Sequence, residues 1–274
     1  MIENLPLSGD SGTEPVSETP TFDPSEVERF ARLAAEWWDP NGKFRPLHQI
    51  GPARLAFLRD RLTEHFRHTG TPPDAPRGAH LGATTMRPLS GLAILDIGCG
   101  GGLVAEPLCR MGARVTGIDP STENIGTARA HSAPQGLAID YRAARVEDLV
   151  AAGERFDAVT CLEVLEHIPD PAAFLAMAAK LIRPGGLMLV STINRTPKSY
   201  ALAIVAAEYV FGWLPRGTHQ WERFIAPDEL AGHLAAAGLT DTRFEGIVYD
   251  PLRDRWSLSP DTGVNYVAAA SRPG

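Results

Sequence analysis

Leu92-Ala-Ile-Leu-Asp-Ile-Gly-Cys-Gly-Gly-Gly-Leu103 is an apolar run that breaks into a cluster of glycines. The β-branched residues of its first half predict a buried strand that ends at Gly98. From Leu103 to Cys109 the pattern becomes helical. A strand, a glycine turn and a helix in this order allow backbone N–H groups to approach a nucleotide-like ligand closely.

A carboxylate follows this loop at a spacing typical of ribose binding. The short strand Arg114-Val-Thr-Gly-Ile118 ends in Asp119, twenty-one residues after Gly98. In dinucleotide-binding βαβ units, an acidic residue about 20 residues beyond the loop binds ribose hydroxyls. We therefore predict that Asp119 accepts both ribose hydroxyls of a bound nucleotide. The alternative role is an N-cap for the helix predicted over residues 121–131.

Glycine spacing separates the classes of nucleotide that this loop can bind. A dehydrogenase fingerprint requires Gly or Ala at its last position, where this chain has Leu103. Four glycines also exceed the one or two that a simple turn without a ligand needs. Asp96 and the tight Gly-x-Gly-Gly-Gly after it instead resemble motif I of class I S-adenosylmethionine (SAM)-dependent methyltransferases.

The composition is that of an ordinary soluble protein. Of its 274 residues, 44% are hydrophobic and 22% are charged, and the net charge is −7. An acidic chain without a basic stripe is not expected to bind nucleic acid. The three cysteines form no CxxC pair, so we expect reduced packing residues rather than disulfides or zinc ligands. The N-terminal residues lack the apolar core of a signal peptide, which predicts a cytoplasmic protein.

The chain divides into four predicted parts. They are a disordered tail (1–21), an N-terminal helical extension (22–68), a Pro/Gly-rich linker or insertion (69–88) and a methyltransferase domain (89–274). Within the extension, Asp23-Pro-Ser-Glu26 predicts a helix start, and one apolar stripe continues to Trp38. A second helix is predicted from about Pro52 to His68. The extension either covers the ligand site as a lid or packs against the sheet.

Strands and helices alternate through the rest of the chain. Further strands are predicted at 139–142, 156–162, 187–191, 243–249 and 264–270, with helices at 121–131, about 171–182 and 227–237. This alternation predicts a parallel, doubly wound sheet. The predicted fold is therefore α/β, with a seven-stranded, mostly parallel, Rossmann-like sheet of the class I methyltransferase type and the N-terminal helical extension.

Motifs outside the loop carry a closer resemblance. They are Glu36-Trp-Trp-Asp39, Phe44-Arg-Pro-Leu-His48, Gly51-Pro-Ala-Arg54, Thr160-Cys-Leu-Glu-Val-Leu-Glu-His167, Arg183-Pro-Gly-Gly186, Asn194-Arg195 and Pro215-Arg-Gly-Thr-His219. Over residues 23–270 the chain resembles the bacterial ubiquinone biosynthesis O-methyltransferases. It departs from that family in the 69–88 insertion, at Gly51 where Asn is usual, and at Leu162 where some members carry Met.

The resemblance implies two O-methylations in ubiquinone synthesis. One acts on a 2-polyprenyl-6-hydroxyphenol and the other on a 3-demethylubiquinol, and each gives a methoxy product and S-adenosylhomocysteine (SAH). It also implies a polyprenylated phenol or catechol substrate and membership of a ubiquinone-biosynthesis complex. The residues leave two other functions open, which are methylation of another small acceptor and SAM binding by a scaffold without activity.

The resemblance also assigns residues to SAM. Gly98 and Gly100 let the backbone approach its methionine part, and Arg54 binds its carboxylate with a forked guanidinium. Asp148 is the candidate for the adenine amine, and Leu162 keeps an adenine contact. From the residues alone, Arg54 is typical of a solvated helix face, and Asp148 is equally typical of a surface carboxylate. The predicted cofactor-binding set is Arg54, Asp96, Gly98, Gly100, Asp119, Asp148 and Leu162.

Glu163, Glu166 and His167 follow the fourth predicted strand, where ligand sites of α/β proteins open. At spacings of i, i+3 and i+4 they can converge on one face of a turn. Members of the wider family carry this trio as a magnesium site, where a hard cation would lower the pKa of a phenol. The alternatives are His167 alone as general base and an ordinary salt-bridged helix start. We predict all three as catalytic residues and as candidate Mg²⁺ ligands.

An apolar segment follows the fifth predicted strand. Residues 199–214 are almost continuously apolar and are flanked by Lys198 and Arg216. The run is shorter than the about 20 residues of a transmembrane helix, so it is either a buried core helix or a helix resting on a membrane. Because the implied substrate resides in the bilayer, we predict a lid or membrane-contact segment at 199–224. The protein would then be peripheral, at the inner face of the cytoplasmic membrane.

Overall fold

The apolar run and its glycine turn lie at the centre of a sheet in the computed structural model, which describes residues 22–69, 87–202 and 221–274. The strands of these residues are β1 (Ala93–Ile97), β2 (Arg114–Asp119), β3 (Asp140–Ala143), β4 (Phe156–Leu162), β5 (Ile182–Ile193), β6 (Thr240–Asp250), β7 (Arg255–Ser259) and β8 (Asn265–Ser271). They form one sheet in the order β3-β2-β1-β4-β5-β8-β6-β7.

The direction of the strands places a ligand site between β1 and β4. Strands β1 to β5 pair in parallel, and β6, β7 and β8 pair antiparallel. The chain runs outward from β1 to β3 and then returns to β4 on the other side of β1, so the strand order reverses there. In doubly wound sheets, ligands bind at the carboxyl ends of the strands at this reversal. Gly98 follows β1 and Glu163 follows β4, so both residues lie at this point.

Helices cover both faces of the sheet. The helices of the described residues are α1 (Pro24–Ala31), α2 (Arg45–Thr69), α3 (Ala105–Arg110), α4 (Thr122–Ser132), α5 (Val146–Ala151), α6 (Pro171–Lys180), α7 (Pro197–Ser199) and α8 (Pro227–Ala236). Leu187 and Leu189 of β5 pack into the core shared with α2, α3 and α4. Met188 and Val190 pack into the core shared with α5, α6 and α8. Alternate residues of β5 therefore serve opposite faces.

The predicted doubly wound α/β sheet is confirmed, but it has eight strands in the described residues rather than seven. The additional strand, β7, pairs antiparallel with β6 at the edge of the sheet. Its sequence offers only two apolar residues, Trp256 and Leu258, which pack against the core under α2. An alternation as short as this one is a weak strand signal.

Element ends differ from the prediction at three places. Helix α1 ends at Ala31, and only a short 3-10 turn at Ala34–Glu36 follows, so the apolar stripe to Trp38 is not one helix. Helix α2 begins at Arg45 rather than Pro52, since Pro46 lies in its first turn, where the missing N–H does no harm. The predicted stop Arg183-Pro-Gly-Gly186 lies within β5 as an irregularity in its pairing with β4.

Several predicted segments lie outside the described residues. They are the tail at 1–21, nearly all of the 69–88 insertion and residues 203–220 of the apolar segment. In the three described ranges, we find no helix with the length and apolarity needed to cross a membrane.

Candidate active site

Two adjoining cavities open at the carboxyl ends of β1 and β4. The larger has a volume of about 740 Å³ and the smaller a volume of about 140 Å³. Arg54 lines only the larger cavity, and Asp119 lines only the smaller one. Five residues line both cavities, and we call them the junction: Phe30, Trp37, Gly98, Glu163 and His167.

The glycine loop has a conformation and neighbours that exclude side chains. Gly98 and Gly100 have φ angles of 69° and 51°, in the left-handed region that favours glycine. A Cβ atom at Gly98 would lie 2.5 Å from Val164, and one at Gly100 would lie 2.3 Å from the Trp37 ring. The loop can therefore approach its neighbours closely only because both positions are glycine.

Asp119 is buried at the end of β2 and accepts three hydrogen bonds. The Gly100 N–H donates to Oδ2 at 3.1 Å, while the Ser121 N–H and Asn124 Nδ2 donate to Oδ1 at 2.9 and 3.1 Å. Burial raises the pKa of Asp119, and these donors oppose that shift. Ser121, not Asp119, is the N-cap of α4, so the N-cap alternative is wrong.

Two tryptophans connect the N-terminal extension to this loop. Trp37 Nε1 donates to Asn124 Oδ1 at 2.9 Å, and Trp38 Nε1 donates to the Gly101 carbonyl oxygen at 2.9 Å. Because Asn124 also donates to Asp119, Trp37 and the predicted ribose carboxylate share one hydrogen-bond partner. The two tryptophans are thus more than a motif of the family, because they bind Asn124 and the glycine loop.

Arg54 is almost fully buried, with 3% of its surface exposed. Its Nη2 donates to the Leu47 carbonyl oxygen at 3.0 Å, and its Nη1 lies 3.8 Å from Glu163 Oε1. Its Nε is buried without a hydrogen-bond partner in the part of the chain that the structure describes. The alternative of a solvated helix face is therefore wrong. A buried guanidinium with an unpaired N–H beside a cavity suits a ligand carboxylate.

Asp96 lies in β1 and lines the same cavity as Arg54. Thr160 Oγ1 donates to Oδ1 at 2.7 Å, whereas Oδ2 is buried with no partner in the described ranges. Burial raises the pKa of Asp96 from 3.8 to about 7. The carboxyl is therefore a second incompletely satisfied polar group at this end of the larger cavity.

Replacing Asp96 with Asn is expected to make the slope of the unfolding free energy against pH more positive than in the wild type between pH 3.8 and about pH 7. Over this range the folded protein keeps the Asp96 proton, whereas the unfolded chain has released it. The contribution of Asp96 to the unfolding free energy therefore falls as the pH rises through the window, and a neutral amide removes this contribution. Urea unfolding at a series of pH values measures the slope, and equal slopes in both proteins would contradict the expectation.

Two successive residues of β5 hold Glu163 and Glu166. Ser191 Oγ donates to Glu163 Oε1 at 2.6 Å and accepts from the Glu163 N–H at 3.1 Å. Thr192 Oγ1 donates to Glu166 Oε2 at 2.8 Å. Both carboxylates line the larger cavity, as His167 does. Burial and, after it, the Glu163 charge raise the pKa of Glu166.

Glu163 has an uncommon backbone conformation directly after β4. Its φ angle is 55°, in a region that non-glycine residues rarely adopt and that costs about 1–3 kcal/mol. The two hydrogen bonds with Ser191 help to hold this conformation. Strained residues of this kind are concentrated at functional sites.

His167 contacts the N-terminal extension. Its Nδ1 lies 2.9 Å from Glu26 Oε2 of α1. Its ring meets the Phe30 ring edge-on, with 5.2 Å between the centroids. Helix α1 therefore contributes both a carboxylate and an aromatic ring to the surroundings of the predicted base.

The predicted magnesium trio is not assembled in this arrangement. Glu163, Glu166 and His167 have separate partners, in Ser191, Thr192 and Glu26. Across the described ranges, no three His, Cys, Asp or Glu side chains are placed to hold a metal ion together. The physical reason is that the Ser191 and Thr192 hydroxyls each hold one carboxylate, while Glu26 of α1 lies against the imidazole. As placed, these residues do not fit a metal ion.

Comparison with known proteins identifies the family. A family model described as a methyltransferase domain matches residues 54–243. The chain is 53% identical to the ubiquinone biosynthesis O-methyltransferase of Azorhizobium caulinodans, over 90% of this chain and 92% of that protein. It is 52% identical to the protein of the same name from Parvibaculum lavamentivorans, over 92% and 94%. The chain belongs to the ubiquinone biosynthesis O-methyltransferases. The resemblance and the enzyme class predicted from the motifs are confirmed.

A solved structure supports the fold of this ubiquinone biosynthesis O-methyltransferase. Magnesium protoporphyrin IX methyltransferase (ChlM) from Synechocystis PCC 6803, with bound SAH, aligns with a TM-score of 0.57 and 19% identity. The alignment covers 91% of this chain and 95% of that one. At this identity the likeness concerns the fold alone, and it agrees with the predicted class I methyltransferase sheet.

In this O-methyltransferase, one predicted cofactor residue lies away from both cavities. Asp148 has a side chain that is 50% exposed, and its Oδ2 accepts from the Arg145 N–H at 2.8 Å at the start of α5. This exposed position agrees with the alternative interpretation, in which Asp148 is a surface carboxylate rather than a contact to adenine. Arg145 and Val146 line the smaller cavity instead. Leu162 lines the larger cavity with Arg54 rather than the smaller one with Asp119.

Sequence reasoning misses three residues at the site of this O-methyltransferase. The sequence pattern assigns Phe30 only to an apolar stripe and Trp37 only to a motif, and it gives no role to Asn124. The first two line both cavities, and Asn124 lines the smaller one. None of the three carries a charge or a nucleophile, so only their position in the fold reveals them.

Proposed function

We propose that this protein transfers the methyl group of SAM to a phenolic hydroxyl of 2-polyprenyl-6-hydroxyphenol and of 3-demethylubiquinol, giving SAH. The junction is the observation that supports this most directly. There, His167 lies between a cavity with a buried carboxylate and a cavity with a buried guanidinium. Methyl transfer requires this arrangement, because the base must lie beside the sulfonium, which is in the middle of the donor.

Polar groups in the two cavities match the ribose and the amino-acid part of SAM. Asp119, in the smaller cavity, suits the ribose hydroxyls. Arg54, with its unpaired Nε, suits the carboxylate, and Asp96, with its unpaired Oδ2, suits the ammonium group. SAM supplies a methyl group that its sulfonium already activates, so the protein contributes mainly alignment and exclusion of water.

The rest of the larger cavity suits an apolar acceptor. Aromatic and aliphatic side chains dominate this part of its lining, among them Leu33, Phe44, Ile247, Tyr249 and Trp256. Cavities of several hundred Å³ with a few polar groups at one end typically bind small molecules with a large apolar part. A prenylated phenol has this character.

His167 acts as the general base in this proposal. The carboxylate of Glu26, 2.9 Å from Nδ1, holds the imidazole and stabilises its protonated form. The phenolic oxygen forms a bond to the methyl carbon while the carbon–sulfur bond breaks. The phenolic proton passes to His167, and the electron pair of the broken bond stays on sulfur in SAH.

Turnover of a short-chain ortho-diphenol tests the function. The purified protein is incubated with SAM and the diphenol, with and without EDTA and Mg²⁺, and SAH is quantified. We expect equal SAH formation under all conditions. Loss with EDTA and recovery with Mg²⁺ would contradict the metal-free mechanism but keep the function. SAM binding without turnover would contradict the function and favour a scaffold or another acceptor.

We also propose that residues 199–214 rest on the inner face of the cytoplasmic membrane. The apolar sequence supports this, as do Tyr200 and Leu202, which are 49% and 50% exposed. Leu202 also lines the larger cavity, so a lipid surface there would lie beside the acceptor entrance. Membership of a ubiquinone-biosynthesis complex stays a prediction from the family.

Replacing Leu202 with Glu is expected to lower the fraction of protein that floats with anionic phospholipid vesicles. A buried charge at the interface opposes insertion of the apolar segment. Leu252→Glu is the matched control, because Leu252 is also exposed but lies in the turn between β6 and β7. Equal flotation of Leu202→Glu and wild type would contradict membrane contact through this segment.

A further inference from the structure

The junction defines where the middle of the donor must lie. If Asp119 binds the ribose and Arg54 the carboxylate, the ligand passes from the smaller cavity to the larger through the five junction residues. In SAM, the atom between these two parts is the positively charged sulfonium. The junction residues are therefore the ones that surround this charge, an argument that rests on the proposed function.

Of the two aromatic residues at the junction, Trp37 has its ring faces occupied by protein. Phe44 stacks on it with 3.8 Å between centroids and an interplanar angle of 6°. The Gly100 and Gly101 backbone lies against it so closely that a Cβ at either position would come within 2.5 Å of the ring. Its Nε1 is hydrogen-bonded to Asn124. Trp37 is thus a wall of the junction rather than a surface for a ligand.

Phe30 is more exposed than Trp37, and no ring of the described residues stacks on it. It is half-buried, on a helix that contains no fully buried residue. Its ring meets the His167 ring edge-on, so it lies beside the proposed base. The Arg29 guanidinium lies over the ring, 5.0 Å from its centroid, so a ligand cation would have to approach the other face.

We propose that Phe30 contacts the sulfonium of SAM through a cation–π interaction and makes the site prefer SAM to SAH. The face of an aromatic ring attracts a cation, and the attraction is larger where water is excluded. Methyl transfer converts the sulfonium into a neutral thioether, so the attraction disappears when the product forms. Phe30 then favours the substrate donor over the product that must leave.

A second junction residue also bears a charge that attracts a cation. The Glu163 carboxylate lies 3.8 Å from Arg54 and accepts a hydrogen bond from Ser191, so part of its charge is already compensated. A test of Phe30 must therefore change the ring without changing this carboxylate. Leucine removes the π system while keeping an apolar side chain, and tyrosine keeps the ring.

Calorimetric binding of SAM and of SAH to the full chain tests the proposal. For Phe30→Leu we expect the SAM dissociation constant to rise about tenfold, with little change for SAH. Phe30→Tyr should keep the wild-type ratio of the two constants. Phe22→Leu is the matched control, because Phe22 lines only the smaller cavity, and its ratio should also stay unchanged.

Different outcomes overturn different parts of this proposal. An equal loss of SAM and SAH affinity in Phe30→Leu would show that the ring only fills space, and a loss of neither would show that the ring does not contribute to donor binding. If the wild type binds neither ligand, the donor itself is wrong and Phe30 has no such role. If the wild type binds both ligands but methylates no diphenol, the acceptor proposal fails, while the SAM-to-SAH ratio still decides the role of Phe30.

Discussion

Replacing Asp119 with alanine is expected to raise the dissociation constant of SAM at least about 100-fold, because two hydrogen bonds to a charged acceptor are lost. The buried carboxylate lines the smaller cavity and is held by the N–H groups of Gly100 and Ser121. Alanine removes the acceptor for the ribose and leaves these two donors unpaired. Isothermal titration calorimetry with SAM measures the change.

Two further variants distinguish the loss of ribose binding from a structural change of the glycine loop. Asp119→Asn keeps the shape of the side chain but removes its charge, so we expect a smaller loss of affinity and a near-normal unfolding free energy. Asp148→Ala removes an exposed carboxylate that lines neither cavity, so its SAM affinity should equal that of the wild type. A loss in Asp148→Ala as large as in Asp119→Ala would reverse the two assignments.

Replacing His167 with alanine is expected to lower kcat for an ortho-diphenol by about 100- to 10,000-fold, the usual contribution of a general base. SAM affinity should change much less, because the proposed contacts of Asp119 with the ribose and of Arg54 with the carboxylate stay in place. The side chain pairs with Glu26 and touches Phe30, so circular dichroism must confirm that α1 keeps its place. Single-turnover formation of SAH measures the chemical step.

The matched control for this variant is His233→Ala. His233 lies in α8 and lines neither cavity, so its loss should leave kcat unchanged. A wild-type activity that is insensitive to EDTA, together with a large loss in His167→Ala, would agree with a base that works without a metal. Normal turnover by His167→Ala would remove this residue from the mechanism.

The parallel half of the fold could be predicted because its signals are local. The run at 93–97, the glycines and the strand that ends in Asp119 each combine apolar periodicity with a turn signal. Strand β7 could not be predicted with the same certainty, because its stability comes from pairing with β6 and packing on α2. The start of α2 could not be placed because Pro52 looks like a first helical residue, although it lies inside the helix.

The site residues also divide into those that local sequence signals predict and those that they do not. Asp119 follows from its distance to the loop, whereas Arg54 is reached only through the family resemblance, since sequence alone cannot show that its helix position is buried. The place of Asp148 could not be predicted, because a carboxylate in a capping box and one that faces a ligand have the same local sequence pattern. Glu163 and Glu166 accept hydrogen bonds from different residues of β5, Ser191 and Thr192, and no spacing of i and i+3 reveals these partners.

The hydrogen bonds of the double Trp set a lower limit on the fragment that can fold with an intact donor site. The match to the methyltransferase family model begins at residue 54, yet Trp37 and Trp38 bind Asn124 and Gly101, which lie inside that match. A fragment trimmed to residues 54–243 would expose the glycine loop and leave the Asn124 amide oxygen without its partner. Truncation and fusion designs for this enzyme should therefore keep Trp37 and Trp38.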